Sequence, residues 1–367
     1  KFYNLSSNAN GGAIYIKESS ELANLKITRS NFKDNIASNG GALFLELSNI
    51  TIGNCNFANN SANNSTGAIA FFNSNALVEN CAVVNSSSKR QATAISIDGN
   101  SENLVIIRTS TIENNSRAVD NGIGNDGLVG NGICSSIGND GLGDNDEEEI
   151  PAISLAGGTL DISYSSIVND LSLETVEGDD SKQPMAIANN NWWGTNDPNE
   201  TVKGSGITID SWLILHVTLN NKGVLKVGNS VNVTIDFNHV MTSSGEILPL
   251  TGGIISREFA IRMNATAGRI YPYYLVTRDK EASSVFTVQD GGASLDIRTE
   301  NALVHIDFIV NNYYGVIYIS NFGNDDWNGS IESPVRTYQK AISLAFEEGG
   351  SHHIFFLEGT YEFYGVN

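Results

Sequence analysis

Short apolar stretches recur along the first half of the chain at a nearly constant interval. The segment "NANGGAIYIK" at residues 8–17 returns in closely similar form as "ASNGGALFLE" at residues 37–46. A small residue followed by a large apolar one recurs seven times, as Ala13-Ile14, Ala42-Leu43, Ala68-Ile69, Ala94-Ile95, Ala118-Val119, Ala152-Ile153 and Ala186-Ile187. A fixed period of a few tens of residues is typical of solenoid proteins, in which each repeat is one turn of the chain.

A second pattern lies between these pairs, and alignment of its copies places like residues in columns. The columns are Ile27, Ile52, Val78, Ile107, Ile162; Ser30, Cys55, Cys81, Ser110, Ser165; and Phe32, Phe57, Val83, Ile112, Ile167. In parallel strands stacked about 4.8 Å apart, each inward side chain touches its equivalents above and below, so a column keeps its residue type. The columns therefore predict stacked parallel strands around a continuous apolar core.

Glycine and asparagine occupy the positions between the predicted strands. The pairs Gly11-Gly12 and Gly40-Gly41 predict a turn that a β-carbon would not permit. A further column holds Asn35, Asn60 and Asn115. Asparagine tolerates left-handed backbone, and its amide can bond along the stack, so we expect both features at this column.

These patterns together predict an all-β protein with three regions. Residues 1–215 are expected to form a right-handed parallel β-helix, because leucine-rich and helical repeats need longer helix-forming segments than these. Residues 216–311 are expected to form an immunoglobulin-like β-sandwich, because short alternating segments follow one another between turns. The segments are "LHVTLN", "SVNVTIDFN", "REFAIRMN", "YYLVTR", "SVFTVQD", "SLDIRT" and "LVHIDFIV".

The third region, residues 312–367, is expected to be the N-terminal cap and start of a second β-helix. Its pattern is a strand, a polar turn, a short helix over 334–346 and another strand. Before it, the repeat ends in "NNNWWG", and we interpret Trp192, Trp193 and Trp212 as a plug over the end of the stack, in preference to a sugar-binding platform. Phe2 occupies the Phe32 position, so we expect the chain to be a piece of a longer protein.

Charge changes the picture of possible partners. The chain has 41 acidic and 21 basic residues, and its net charge of -20 opposes nucleic-acid phosphates and anionic lipid. A run of 18 or more apolar residues is missing from the sequence. We therefore expect neither a nucleic-acid partner nor membrane insertion.

Several motifs carry a resemblance to surface proteins. "GGAI" with "FKDN" and "FANN" resembles the GGAI and FxxN repeats of chlamydial polymorphic membrane proteins. The order of "NNNWWG", an immunoglobulin-like region and "YISNFGNDDWNGSIESPVRTYQKAI" is more similar to the adhesin-like proteins of methanogenic archaea. The resemblance implies a non-catalytic extracellular adhesin or stalk, held at the cell surface through other parts of a longer chain. The implied partner is a surface protein or glycan of another cell.

The alternative function is a carbohydrate-active β-helix enzyme of the lyase or glycoside hydrolase type. Such chemistry needs paired carboxylates or a base on one face. Asp179 and Asp180 are adjacent, but a solvated acidic loop explains them better. The histidines His216, His239, His305, His352 and His353 show no metal-ligand spacing, and His352-His353 is expected in a loop. We therefore predict neither an enzyme nor a cofactor, and name no catalytic residue.

Cysteine usage adds little to this interpretation. Cys55 and Cys81 fall in one column on neighbouring turns of the predicted stack, at a separation that a disulfide accepts. Serine fills the same column elsewhere, so we expect free thiols that pack as small apolar residues.

The longest departure from the repeat lies between Ala118 and Ala152. There "IGNDGL" occurs twice, and acidic residues crowd the end of the segment. Oxygen ligands on glycine-rich turns suit calcium, but the nonapeptide and twelve-residue calcium patterns are missing. A solvated acidic loop is the preferred interpretation; if calcium binds, the candidate ligands are Asp126, Asp140, Asp144 and Asp146.

Overall fold

The computed structural model describes residues 1–17, 25–118, 149–176, 182–310, 313–348 and 351–361. Strands predominate, and most of those in the first part of the chain pair in parallel. The chain divides into two compact units. Unit 1 comprises Lys1–His216, Phe237–Glu258 and Glu300–Ala302, and unit 2 comprises Val217–Asp236, Phe259–Thr299 and Leu303–Asn367.

Unit 1 is built from parallel sheets in which each turn of the chain adds one strand. In the described residues sheet I contains Ile14–Lys17, Leu43–Glu46, Ile69–Phe72, Ile95–Asp98, Ile153–Leu155, Leu173–Thr175 and Val202–Lys203. Sheet II contains Leu25–Thr28, Asn49–Gly53, Asn75–Glu79, Leu104–Arg108, Thr159–Ser163, Met185–Ile187 and Ile207–Thr208.

Two further parallel sheets, with shorter strands, contribute to some of the turns. Over the same described ranges sheet III contains Phe2–Tyr3, Asn31–Lys33, Asn56–Ala58, Ala82–Val84, Thr111–Glu113 and Ser166–Val168. Sheet IV contains Ile36–Ala37, Ser61–Ala62, Ser87–Ser88 and Ser116–Arg117. The expectation of an all-β fold with stacked parallel strands is confirmed.

The register of these sheets confirms the predicted columns. In sheet II, Ile52 pairs with Ile27 on one side and Val78 on the other, and the column continues to Ile107 and Ile162. In sheet III the Phe32 column runs from Phe2 to Ile167 with the same regularity. These side chains face inward and form one apolar core, since like residues stacked on like leave few gaps.

Two of the seven predicted pairs are out of register. Ile95 pairs directly with Ile153, so Ala118 contributes no strand to sheet I, and the next partner of Ile153 is Leu173. Ala186 lies in sheet II, where it pairs with Leu160. Ala152-Ile153 is in register after the long segment, but the next strand of sheet I is Leu173–Thr175, so Ala186 falls in the following strand, which belongs to sheet II.

The turn chemistry is confirmed in part. Gly11 and Gly40 have φ of 63° and 64°, and a β-carbon on Gly12 would lie 2.2 Å from the Gly41 carbonyl oxygen. The asparagine column does bond along the stack, as the Asn35 amide nitrogen donates to Asn60 Oδ1 at 2.9 Å. The left-handed backbone was expected at the same column but lies one residue earlier, at Asp34, Asn59, Asn85 and Asn114.

The last part of unit 1 is an antiparallel sheet next to a buried aromatic cluster. The strands of this sheet are Ser211–Leu213, His239–Thr242 and Ile247–Pro249, and a 3₁₀ turn spans Pro198–Glu200. Trp192 and Trp193 are fully buried, and Trp192 packs edge-on against Phe237 with ring centroids 5.3 Å apart. The burial of these two rings fits a plug, whereas Trp212, the third predicted member, is half-buried and donates from Nε1 to the Asn196 carbonyl oxygen at 2.8 Å.

Unit 2 contains two antiparallel sheets built from the alternating segments that the sequence predicted. Among the described residues one sheet has the order His216–Leu219, Ser230–Asp236, Glu281–Val288 and Gly268–Tyr271. The other sheet has the order Tyr274–Val276, Ala260–Thr266, Ser294–Thr299 and Ala302–Asp307. The inward faces carry Val231, Val233, Phe286, Leu295 and Ile297, all buried.

The end of the chain forms a strand, helix and strand. Tyr313–Ile319 pairs in parallel with Ser351–Phe356, and the helix between them spans Tyr338–Glu348. The helix begins later than the sequence predicted, because Val335 still bridges to Ile319 in extended conformation. Thr337 caps the helix, accepting a hydrogen bond from the Lys340 N–H at 3.2 Å.

Candidate functional site

One face of an antiparallel sheet in unit 2 presents charged and aromatic side chains to solvent. The strands Ala260–Thr266 and Ser294–Thr299 bury Ile261, Met263, Leu295 and Ile297. Successive side chains in a strand point to opposite faces, so the intervening residues lie on the outer face. We call this outer surface the arginine–tyrosine face and define it by Arg262, Tyr274, Asp296, Arg298 and His305.

Three of these residues form a row across the strands. Arg262 is the Cα partner of Tyr274 on one side and of Arg298 on the other. Directly opposed residues have β-carbons about 4.5–5.5 Å apart, and like charges in such pairs are destabilising. Two opposed arginines therefore cost the sheet some stability, and a bound anion would relieve this repulsion.

Two acidic residues contact Arg298 and His305 on the same face. Asp296 Oδ2 lies 3.4 Å from Arg298 Nη2, and Asp296 Oδ1 lies 2.6 Å from His305 Nδ1. His305 Nε2 lies 3.1 Å from Asp307 Oδ1. In the described part of the chain Arg262 has no carboxylate partner. Its guanidinium is therefore available to an external anion.

The histidine and aspartate on this face shift each other's protonation. The hydrogen bond to Asp296, followed by the one to Asp307, raises the pKa of His305 above its usual value. The hydrogen bond from His305, together with Arg298, lowers the pKa of Asp296. Both side chains are solvated, so their mutual attraction is weak. The hydrogen bond with His305 favours the ionised form of Asp296 and uses one of its two carboxylate oxygens.

The row has the donors needed to hold a carboxylated ring. Guanidinium groups bind carboxylates with paired, directional hydrogen bonds. The Tyr274 side chain, 48% exposed, offers a flat apolar surface with a polar tip. Tyr273, which precedes Tyr274 in the chain, is also exposed, at 66%. The face can thus recognise a ligand that combines a carboxylate with a flat apolar side.

The residues singled out in the sequence are distributed as follows. The calcium candidates Asp126, Asp140, Asp144 and Asp146, and the adjacent Asp179 and Asp180, lie outside the described residues. His305 lies on the arginine–tyrosine face. His352 and His353 lie within the strand Ser351–Phe356, so their expected loop position is wrong. His216 and His239 approach each other in unit 1, with ring centroids 4.0 Å apart.

A pair of carboxylates in unit 1 bears on the enzyme alternative. Arg257 forms ion pairs with Glu113 Oε1 and, at 2.6 Å, with Glu300 Oε1. The Ser166 hydroxyl also donates to Glu113, at 2.6 Å, and Trp192 Nε1 donates to Glu300 at 2.6 Å. Burial raises the pKa of Glu113, and Arg257 opposes that rise. One guanidinium thus bridges both carboxylates and engages each of them in an ion pair.

Sequence reasoning missed the arginine–tyrosine face. The alternation in "FAIRMN" and "SLDIRT" does place each arginine on the polar side of its strand. The signal that the two arginines oppose each other is the pairing register, which a pattern of single strands does not contain.

Comparisons with known proteins add little. Neither a protein-family model nor a curated protein matches this chain. A crystal structure of domains 4 and 5 of the S-layer protein SbsC is similar with 12% identity and a TM-score of 0.17, covering 28% of this chain and 55% of that one. The match thus spans about half of that chain, and at this TM-score it carries no argument about fold or function. In the described residues, every helix is too short or too polar to cross a membrane.

Proposed function

We propose that this chain is a non-catalytic, extracellular adhesin or stalk segment that attaches a cell to a glycan on another cell. The observation that carries the proposal is the row of Tyr274, Arg262 and Arg298 on the outer face of the unit 2 sheet. A solvent-exposed pair of opposed arginines is unfavourable for the sheet alone, and a bound anionic ligand would offset the repulsion between them.

The architecture that we propose has three parts. Residues 1–215 form a right-handed parallel β-helix, residues 216–311 an immunoglobulin-like sandwich, and residues 312–367 the cap and start of a second β-helix. The stacked parallel sheets with matched columns support the first assignment. Two antiparallel sheets of alternating strands support the second, and the strand–helix–strand segment supports the third.

The stacked sheets suit a stalk because their bonds run along the stack. Backbone ladders, the Phe2–Phe32–Phe57 ring stack and the buried asparagines all connect one turn to the next. Each turn contacts only its neighbours, so such an array extends without changing its local chemistry. A stalk of this kind would hold a binding face away from the cell surface.

The ligand that fits best is a neutral glycan ending in one carboxylated sugar. The net charge of -20 disfavours a polyanion such as an acidic polysaccharide. Salt at 0.15 M screens charges beyond about 8 Å, so a single terminal carboxylate responds mainly to the charges of this face, where Arg262 and Arg298 attract it and Asp296, 3.4 Å from Arg298, partly opposes them. The sugar ring beside that carboxylate would pack on Tyr274.

The test is binding of the full chain to an array of neutral glycans and glycans ending in a carboxylated sugar. We expect binding to the second group only, with at least a tenfold loss in Arg262→Ala and Arg298→Ala, because each removes a charge-assisted hydrogen bond. Arg269→Ala is the matched control, since Arg269 is exposed on the other sheet, and should change affinity less than twofold.

Two results would refute the proposal. Equal binding by the arginine variants and the wild type would show that the arginine–tyrosine face does not bind the glycan. New reducing ends or unsaturated products released from a polysaccharide panel would show catalysis and replace the adhesin with the carbohydrate-active enzyme. For the extracellular location, an antibody against the chain should label intact cells of the source organism, and surface proteolysis should abolish the label.

A further inference from the structure

Two histidines of unit 1 lie side by side, each at the start of a strand. His239 begins the strand His239–Thr242, where it pairs with Pro249, and its carbonyl oxygen accepts a hydrogen bond from the Ile214 N–H at 3.2 Å. His216 follows two residues after Ile214. His216 itself begins the strand His216–Leu219, so both rings are carried by strand backbone and not by a free loop.

The two rings are placed as ligands of one ion would be. Their centroids are 4.0 Å apart at an angle of 41°, and one ring nitrogen of each lies within 4.8 Å of the other. Metal–nitrogen bonds of 2.0–2.1 Å at a tetrahedral angle require nitrogens about 3.3 Å apart. A shift of at most about 1.5 Å between the rings reaches that distance, which side-chain rotation supplies.

The surroundings favour binding by excluding water on one side. Ile214, Leu215 and Val240, the neighbours of the two histidines in sequence, are buried. Both imidazoles are themselves half-buried, so solvent reaches part of each ring. An apolar flank around nitrogen ligands strengthens coordination and limits competition by water.

We infer that His216 and His239 form a binding site for a divalent transition-metal ion of the zinc, nickel or copper class. Imidazole nitrogen suits these ions, whereas calcium and magnesium prefer oxygen. The site is independent of the arginine–tyrosine face and of the acidic segment after Ala118. Water completes the coordination, as is usual for a site with few protein ligands.

The direct test uses the full chain without a polyhistidine tag after chelator treatment. Titration calorimetry with zinc, nickel and copper chlorides should show one site per chain, and calcium and magnesium chlorides should give no heat at this site. His216→Asn and His239→Asn should each weaken binding at least tenfold. His305→Asn is the matched control, since His305 bonds carboxylates on the other unit, and should leave binding unchanged.

A second measurement keeps the test independent of variant folding. The electron paramagnetic resonance spectrum of the wild-type protein with one equivalent of copper should show coupling to two nitrogens, and circular dichroism should show that both variants are folded. In a further variant Asp236, three positions before His239 in the chain, is changed to Asn. Weaker metal binding by this variant would identify Asp236 as a third ligand beside the two imidazoles. Absence of metal binding, or equal binding by a folded His216→Asn/His239→Asn double variant, overturns the assignment.

Discussion

Removal of the Asn60 side chain tests whether the buried asparagine column holds the stack together. Asn60 Oδ1 accepts hydrogen bonds from the Asn35 backbone N–H at 3.2 Å and from Asn35 Nδ2 at 2.9 Å. Asn60 Nδ2 donates to the Phe32 carbonyl oxygen at 3.0 Å. Both asparagines are completely buried, so water does not replace these bonds. Asn60→Ala therefore leaves buried polar groups of the preceding turn without a hydrogen-bond partner.

The size of the effect follows from the groups that lose their partners. The Asn35 N–H and the Phe32 carbonyl each lose this partner, while Asn35 Nδ2 keeps its bond to the Phe2 carbonyl. A buried polar group without a partner costs about 1–3 kcal/mol, so the variant should lose about 3–4 kcal/mol of unfolding free energy. In a domain of this size class, that corresponds to a fall in melting temperature of roughly 10 °C.

Asn64→Ala provides the matched control. Asn64 Nδ2 makes a similar amide bond along the stack, to Asn39 Oδ1 at 3.1 Å, but the site is exposed. Water replaces an exposed bond, so this variant should lose less than about 0.5 kcal/mol. Thermal unfolding followed by far-ultraviolet circular dichroism measures both. Melting temperatures of the two variants that agree within about 1 °C would refute the argument from burial.

Two further predictions concern a buried thiol and the exposed histidine. Cys81→Asp should abolish the folding transition of unit 1 in circular dichroism, because a carboxylate would be buried beside the Glu79 carbonyl that the thiol now contacts at 3.3 Å. Cys81→Ser should melt within a few degrees of wild type, since the Ser110 hydroxyl in the same column donates to the Arg108 carbonyl oxygen at 2.9 Å; an unchanged melt of the aspartate variant would place the column in solvent. The pKa of His305 is raised in the fold, so its contribution to stability is full below the usual value of about 6.5 and is lost as pH rises through the folded value. Asp296, with a lowered pKa, contributes above its usual value and loses its contribution as pH falls through the folded one. A nuclear magnetic resonance titration should give His305 a midpoint above 6.5, moved down in Asp296→Asn; a midpoint at or below 6.5 in the wild type would contradict the assigned hydrogen bonds.

The stack could be predicted from the sequence because its chemistry is local and repeated. Every turn meets a copy of itself, so the requirement for like residues above and below appears directly in the sequence as columns such as Phe32, Phe57 and Val83. The alternating strands of unit 2 were predictable for a similar reason, since a half-buried strand alternates with period two. Turn glycines were also visible, because the close approach at Gly12 admits no side chain.

Prediction failed where the local rule was interrupted. The pair Ala186-Ile187 was expected to continue the series of Ala13-Ile14, but Ala186 pairs in sheet II because Leu173–Thr175 supplies the next strand of sheet I. The left-handed turn residue was placed at Asn35, whereas the preceding Asp34 adopts it, with φ of 57°. Either residue type tolerates that backbone, so composition does not decide between neighbouring positions.

The arginine–tyrosine face and the histidine pair were decided by the tertiary structure alone. Arg262 and Arg298 lie far apart in sequence and oppose each other only because one particular register aligns their strands. His216 and His239 meet because the sheet brings Ile214 beside His239. The sequence determines which face of each strand a side chain occupies, because that depends on neighbours along the chain. Which side chains meet across strands depends on pairing between distant segments, and that pairing is fixed only when the whole core packs.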